Sequence, residues 1–140
     1  MKILITGVNG FLGSVVLRHL LNADHEARAL LRSGSNRDNP AGLELEVMEG
    51  DLCDSASLKK AVNSCDHLFH VAADYRLWMP NHESMYQKNI EGTHLLLQYA
   101  GDAGVEKIVY ASSITTLDIH AYRTPADEDS PVCLDDMIGH

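Results

Sequence analysis

The sequence predicts an α/β fold, a doubly wound parallel sheet of about five strands with helices between them. Three observations carry that expectation. Short apolar runs alternate with amphipathic stretches along most of the chain. The first apolar run leads directly into a loop with glycines at positions 7, 10 and 13. No segment repeats and none is of low complexity, so solenoid and tail architectures are excluded.

Taken in order, Lys2–Thr6 (KILIT) is a short apolar run, as a strand covered on both faces requires. Phe11–Asn22 has helical periodicity, with Phe11, Val15, Leu17, Arg18 and Leu21 spread around an amphipathic turn pattern. Glu26–Arg32 reads as a second strand. Ser33–Gly42 is rich in Ser, Gly, Asn and Pro and reads as a loop. Leu43–Met48 reads as a third strand. Asp54 suits the N-cap of a helix over Ser55–Asn63. His67–Ala72 reads as a fourth strand. His82–Ala103 reads as one long helix, with Met85, Ile90, Leu95, Leu96 and Tyr99 inward and Gly104 at its end. Lys107–Ala111 (KIVYA) reads as a fifth strand. Beyond Ser113 the chain becomes loop-like, and Pro125 and Pro131 flank the acidic stretch ADEDS. In the final SPVCLDDMIGH, Leu134, Met137 and Ile138 have the spacing of a new helix face, and Asp135 and Asp136 suit its first turn.

A chain of 140 residues suits one domain with a real core, since 45% of it is apolar. Its net charge of −9 and its lack of a basic run argue against nucleic acid and anionic membrane surfaces. The N-terminus starts like a signal peptide, but Thr6, Gly7, Asn9, Gly10 and Gly13 interrupt the apolar run. No stretch approaches a membrane span. Cys53, Cys65 and Cys133 are odd in number and far apart, which argues against a disulfide framework and a zinc site. A cytoplasmic, reduced protein is expected. Cys65, His67 and His70 could suggest a metal, but the buried-strand pattern of Leu68, Phe69 and Val71 around them argues against one.

The loop TGVNGFLG carries the chemistry. Gly7 permits a tight turn out of the strand, Gly10 leaves room for backbone to approach a pyrophosphate, and Gly13 lets the helix pack on the sheet. Phe11, Leu12 and Gly13 open that helix, whose free N–H groups and positive dipole end suit phosphate. The strand before the loop and the helix after it supply the context that a dinucleotide site of Rossmann type requires. Between Ala27 and Arg37 there is no Asp or Glu to hold a ribose 2′-hydroxyl. Arg32 and Arg37 stand there instead, and a guanidinium suits the 2′-phosphate of NADP, with NAD the alternative cofactor.

The motifs TGVNGFLG, GDL (Gly50–Leu52), HVAADYRLW (His70–Trp78), NIEGT (Asn89–Thr93) and YASS (Tyr110–Ser113) together resemble the extended short-chain dehydrogenases/reductases. These are NAD(P)-dependent epimerases, dehydratases and dihydroflavonol-reductase-like enzymes. AADYRLWMP and SPVCLDDMIGH resemble the hopanoid-associated sugar epimerase group in particular. The resemblance implies that Asp51 and Leu52 lie near the adenine and that Ala72 and Ala73 line the pyrophosphate and ribose. It implies that Asn89 holds the long helix in register with its neighbouring strand. It makes Ser113 a catalytic residue that hydrogen-bonds the substrate's carbonyl or hydroxyl. The alternative for Ser112 and Ser113 is a turn role, which wins outright if no base stands nearby, and the lesser alternative for Asp51 is a loop carboxylate near a helix start. The family is often homodimeric.

The resemblance also implies a catalytic Tyr with Lys four residues later. Tyr75, Tyr86, Tyr99, Tyr110 and Tyr122 are followed at that distance by Met79, Ile90, Ala103, Ile114 and Ala126. The expectation is therefore the N-terminal, cofactor-binding part of an NAD(P)-dependent sugar epimerase or reductase, with the catalytic pair and the substrate domain absent. The alternative is a non-catalytic NAD(P)-binding or sensor module.

Overall fold

A computed structural model describes residues 1–76, 83–117 and 125–130. Strands β1 (Lys2–Thr6), β2 (Glu26–Leu31), β3 (Glu46–Glu49), β4 (His67–His70) and β5 (Lys107–Tyr110) form one sheet in the order β3-β2-β1-β4-β5. Every pairing is parallel. Helices α1 (Phe11–Asn22) and α2 (Ser55–Val62) connect the strands, and a long segment runs from α3 (Glu83–Tyr86) through a π-helical turn (Gln87–Gly92) to α4 (Thr93–Asp102). The order reverses between β1 and β4, so the crevice at their carboxyl ends is where such a sheet binds ligands. Among the described residues, those from Ala111 onward form a second unit.

Alternate strand residues feed opposite faces of the sheet. Leu4, Leu30 and Leu68 pack with Leu58, Ala61, Val62 and Leu96 from α2 and α4. Ile5, Ala29 and Leu31 pack with Val8 and with Leu17 from α1. Arg28 is buried on β2. Its Nη1 donates to the carbonyls of Ala61 (2.8 Å) and Asn63 (2.7 Å), closing the C-terminus of α2. Its Nε faces the Glu46 carboxylate at 3.1 Å. Lys2 and Arg28 together hold that carboxyl below its usual range.

The Rossmann-type sheet stands as the sequence predicts, with corrections of detail: the second strand ends at Leu31 rather than Arg32, the second helix at Val62 rather than Asn63 and the long helix at Asp102 rather than Ala103. The third strand is Glu46–Glu49 rather than Leu43–Met48. Its register is set by pairing with Arg28–Leu31, while Leu43 and Leu45 pack on the core from the preceding loop. The fourth strand ends at His70 rather than Ala72, because the N–H groups of Val71 and Ala72 turn to the Thr6 hydroxyl. The fifth ends at Tyr110. The long helix is interrupted by its π-helical turn, and Ile90, expected inward, is 60% exposed. The helix start at 134–138, the His82 end of the long helix and Tyr122 lie outside the described residues.

Candidate functional site

The crevice is built first from glycine backbone. Gly7 leaves β1 with φ +79°, and a Cβ there would stand 2.8 Å from the Ala72 nitrogen. A side chain at this position would collide with the backbone that follows β4. A Cβ on Gly13 would meet the Gly7 carbonyl oxygen at 2.1 Å, so the first turn of α1 rests directly on the loop backbone. Gly10 faces open space apart from the Gly7 oxygen, 3.3 Å from such a Cβ.

Gly10 is the N-cap of α1 and offers no side-chain cap. The Gly10 N–H donates to Gly7 O (3.0 Å) and the Ser14 N–H to Gly10 O (3.1 Å). Among the described residues, no protein group accepts from the N–H groups of Phe11, Leu12 and Gly13. An uncapped helix start with three open donors presents the positive end of the helix dipole to an anion. The Phe11 and Leu12 side chains are exposed beside it.

A second loop is tied to the first. The Asn39 side chain donates to Asn9 O (2.8 Å), and Arg18 on α1 donates to Asn39 O (2.9 Å). The turn at the end of β2 then borders a cleft of about 690 Å³ lined by Arg32, Ser33, Gly34, Ser35, Glu49 and Asp51 among others. Arg32 and Asp51 are thus brought together. Arg37 is ion-paired with Glu49. The Asp51 carboxylate accepts from the Cys53 N–H (2.9 Å), which shapes the turn into α2. Leu52 is half-buried against the core and against Gly92, where a Cβ would stand 2.7 Å from the Leu52 Cβ.

The opposite side of the crevice follows β4. Ala72 abuts Gly7, and Ala73 is exposed beyond it. Asn89, in the π-helical turn, grips the backbone of Asp74 twice: it accepts from Asp74 N (2.8 Å) and donates to Asp74 O (2.7 Å). Asn89 thus ties the π-helical turn to the loop after β4. π-helical turns concentrate at functional sites. The Arg76 guanidinium, hydrogen-bonded to Asp74, holds that carboxyl down to about 2, and Lys88 lies 3.5 Å away.

The sequence singled out His70 only as a poor metal candidate, and its contacts lie elsewhere. His70, at the end of β4, is fully buried, with Nδ1 2.7 Å from the Thr6 hydroxyl and Nε2 2.9 Å from the Thr93 hydroxyl. Its ring stacks on Tyr110 at 5.4 Å. Cys65 lies elsewhere, donating to Ala61 O. Ser113 belongs to the second unit, where its hydroxyl caps the Ile114–Thr116 turn by accepting from Thr115 N (3.2 Å). The turn role left open for Ser113 is thus filled.

Comparison with known proteins agrees with this geometry. The profile of the NAD dependent epimerase/dehydratase family matches residues 3–133. A Synechocystis sp. protein provisionally named dihydroflavonol 4-reductase is 38% identical over 96% of the chain and 39% of its own length. The crystal structure of gox2253 superposes with a TM-score of 0.92 at 46% identity, covering 99% of the chain and 42% of that protein. A short-chain dehydrogenase/reductase superfamily protein from Agrobacterium tumefaciens, solved with bound NAD, gives a TM-score of 0.76 at 28% identity over 95% of the chain and 39% of its own. The chain therefore spans about two fifths of the proteins it matches. No described helix is long and apolar enough to cross a membrane. With an open-ended helix above three glycines set where the strand order reverses, and with that match over most of its length, the chain belongs to the NAD dependent epimerase/dehydratase family of extended short-chain dehydrogenases/reductases.

Proposed function

We propose that these 140 residues are the cofactor-binding part of an NAD(P)-dependent sugar epimerase or reductase, acting in the cytoplasm and preferring NADP. The observation that carries the reading is the set of open N–H groups on Phe11, Leu12 and Gly13 beside the space left by Gly10. The site fits a dinucleotide pyrophosphate, since charge-assisted hydrogen bonds from backbone N–H groups are the interaction that phosphate takes at a helix start.

In this reading the loop Gly7–Gly13 holds the pyrophosphate, and Ala72 and Ala73 line its other side. Asp51 and Leu52 border the adenosine. Arg32 takes the 2′-phosphate, with the neighbouring Ser33 and Ser35 as further polar groups. Bound there, the nicotinamide would supply the carbon that gives or takes a hydride. Ser113 would orient the substrate oxygen. General acid–base catalysis needs a group these residues do not supply, since none of the five tyrosines has Lys at +4.

That same absence favours a second reading, in which the chain binds NAD(P) without turning substrate over. Both readings rest on the nucleotide. Calorimetry with NADP and NAD on the 140-residue protein tests them: the expected result is binding of both, with NADP tighter. Absence of binding by either would overturn both.

A further inference from the structure

We infer that His70 is a positioning residue for the dinucleotide cradle, held in one tautomer between Thr6 and Thr93 so that the backbone of Val71 and Ala72 is fixed against Gly7. This inference rests on the nucleotide-binding reading of the glycine loop.

The tautomer follows from counting donors. The Thr6 hydroxyl oxygen accepts from the N–H groups of Val71 (3.2 Å) and Ala72 (3.1 Å). Both of its lone pairs are then occupied. Its hydrogen is left to donate, and among the described residues the group hydrogen-bonded to it is His70 Nδ1 at 2.7 Å. Nδ1 is therefore unprotonated, the ring hydrogen sits on Nε2, and Nε2–H donates to the Thr93 hydroxyl at 2.9 Å.

The relay joins three elements that meet at the crevice. Thr6 is the last residue of β1 and precedes Gly7. His70 is the last residue of β4 and precedes Val71 and Ala72. Thr93 opens α4 just after the π-helical turn that carries Asn89. The Ala72 nitrogen that Thr6 holds is the atom against which Gly7 packs. Displacing it by a few tenths of an ångström moves the turn that presents the helix start.

The ring is closed in on every side. β1 faces it with Thr6, α4 with Thr93, and β5 with the Tyr110 ring. Burial alone pushes its pKa down to about 4. A second proton would have to sit on Nδ1, where it meets the already occupied Thr6 oxygen. One of the two backbone N–H groups would then have to let go. The neutral form is thus the form compatible with the Gly7–Ala72 contact.

The test has two arms on the 140-residue protein. In the first, ¹⁵N NMR of the imidazoles at pH 7.5, the inference expects His70 as the Nε2–H form, and an Nδ1–H or charged ring overturns it. In the second, calorimetry with NAD is paired with thermal unfolding of four variants. His70→Asn offers Thr6 an acceptor and Thr6→Ser keeps the hydroxyl, so both should bind within about threefold of the parent. His70→Leu and Thr6→Val break the relay and should bind about tenfold or more weakly while still folded, the equivalent of one lost hydrogen bond. Equal binding by folded His70→Leu or Thr6→Val overturns the positioning role and leaves the cofactor reading intact. Unfolding of both overturns it too, by assigning the relay to folding alone. A parent that binds no NAD but shows the Nε2–H form refutes the cofactor reading and, with it, the role assigned to His70 in the cradle.

Discussion

Gly13 lies so close to Gly7 that a Cβ on Gly13 would stand 2.1 Å from the Gly7 carbonyl oxygen. The first turn of α1 is in backbone contact with the residue that follows β1, which leaves no room for a side chain at Gly13. Gly10 is a different case. Its φ of −87° suits any residue, and a Cβ would need only a small adjustment against the Gly7 oxygen at 3.3 Å. Two of the glycines are there for packing and one is there for space.

Gly13→Ala should therefore destabilise the fold by about 1–3 kcal/mol or more, as forced overpacking does. Gly10→Ala should unfold close to the parent's midpoint yet bind dinucleotide at least about tenfold more weakly, since its methyl group occupies the pyrophosphate's approach. Urea unfolding and calorimetry on the two variants separate the effects. Unchanged NAD(P) affinity in Gly10→Ala would remove Gly10 from the site.

Much of this architecture was legible in the sequence because the signals were local. KILIT and the three glycines mark β1 and the turn after it, and the Asp54 cap is found where expected, accepting from Ala56 N. What the sequence hid depended on partners distant in the chain. Leu43 and Leu45 have an apolar pattern that suits a strand, but β2 pairs with Glu46–Glu49 and leaves them in a packed loop. The π-helical turn at Gln87–Gly92 breaks a helical period that looks continuous, and within it Asn89 reaches across to Asp74. His70 looked at most like a weak metal ligand beside Cys65. Its real partners, Thr6 and Thr93, lie 64 and 23 residues away. Arg28 was likewise unremarked, since only the fold brings it to the end of α2.

Cofactor choice should turn on Arg32. Arg37 is engaged with Glu49, which leaves Arg32 as the guanidinium lining the cleft at the end of β2. Charged hydrogen bonds to a 2′-phosphate are worth about 1.5–3 kcal/mol. Arg32→Ala should lose NADP affinity by about ten- to a hundredfold while NAD affinity holds. Calorimetry with both dinucleotides checks this, and equal NAD and NADP affinity in the parent would sink the preference.

Acid should weaken the fold before its carboxylates titrate. The His70 pKa falls from 6.5 to about 4 on burial, so the unfolded chain takes up that proton first. Stability is then fully present above about pH 6.5 and declines as pH falls toward about 4, by up to about 3 kcal/mol. Asp74 and Glu46, both held below their usual values, add their losses only at lower pH. Urea titrations from pH 7.5 to 5 measure the slope. A stability that stays flat across that window would show that His70 is not the neutral, buried group described.

The 140 residues should show no turnover on their own. Placement of a general acid–base contributes about 10²–10⁴-fold to such chemistry, and no Tyr here has its Lys four residues on. Assays of NADP-linked reduction and of epimerisation with pure protein decide it. Measurable activity dependent on the glycine loop would require a different acid–base group and would redirect the search to Tyr110 and Ser113.

The final expectation concerns β5. Among the described residues, β5 has β4 as its strand neighbour and stands at the edge of the sheet. Ile108, Val109 and Tyr110 are 38%, 42% and 51% exposed. An edge strand with free N–H and C=O groups and apolar side chains is a template for pairing with another chain. The net charge of −9 opposes association in general, but it is spread over the whole chain, and β5 itself carries only Lys107 at its start. We therefore expect the 140-residue protein to self-associate at micromolar concentration, and Val109→Lys to reduce that association by placing a charge in the middle of the edge. Sedimentation velocity on both proteins reads the outcome. A parent that sediments as a monomer and unfolds in one cooperative step would show that the edge is tolerated as it stands, and the non-catalytic binding module would then become the stronger of the two functional readings.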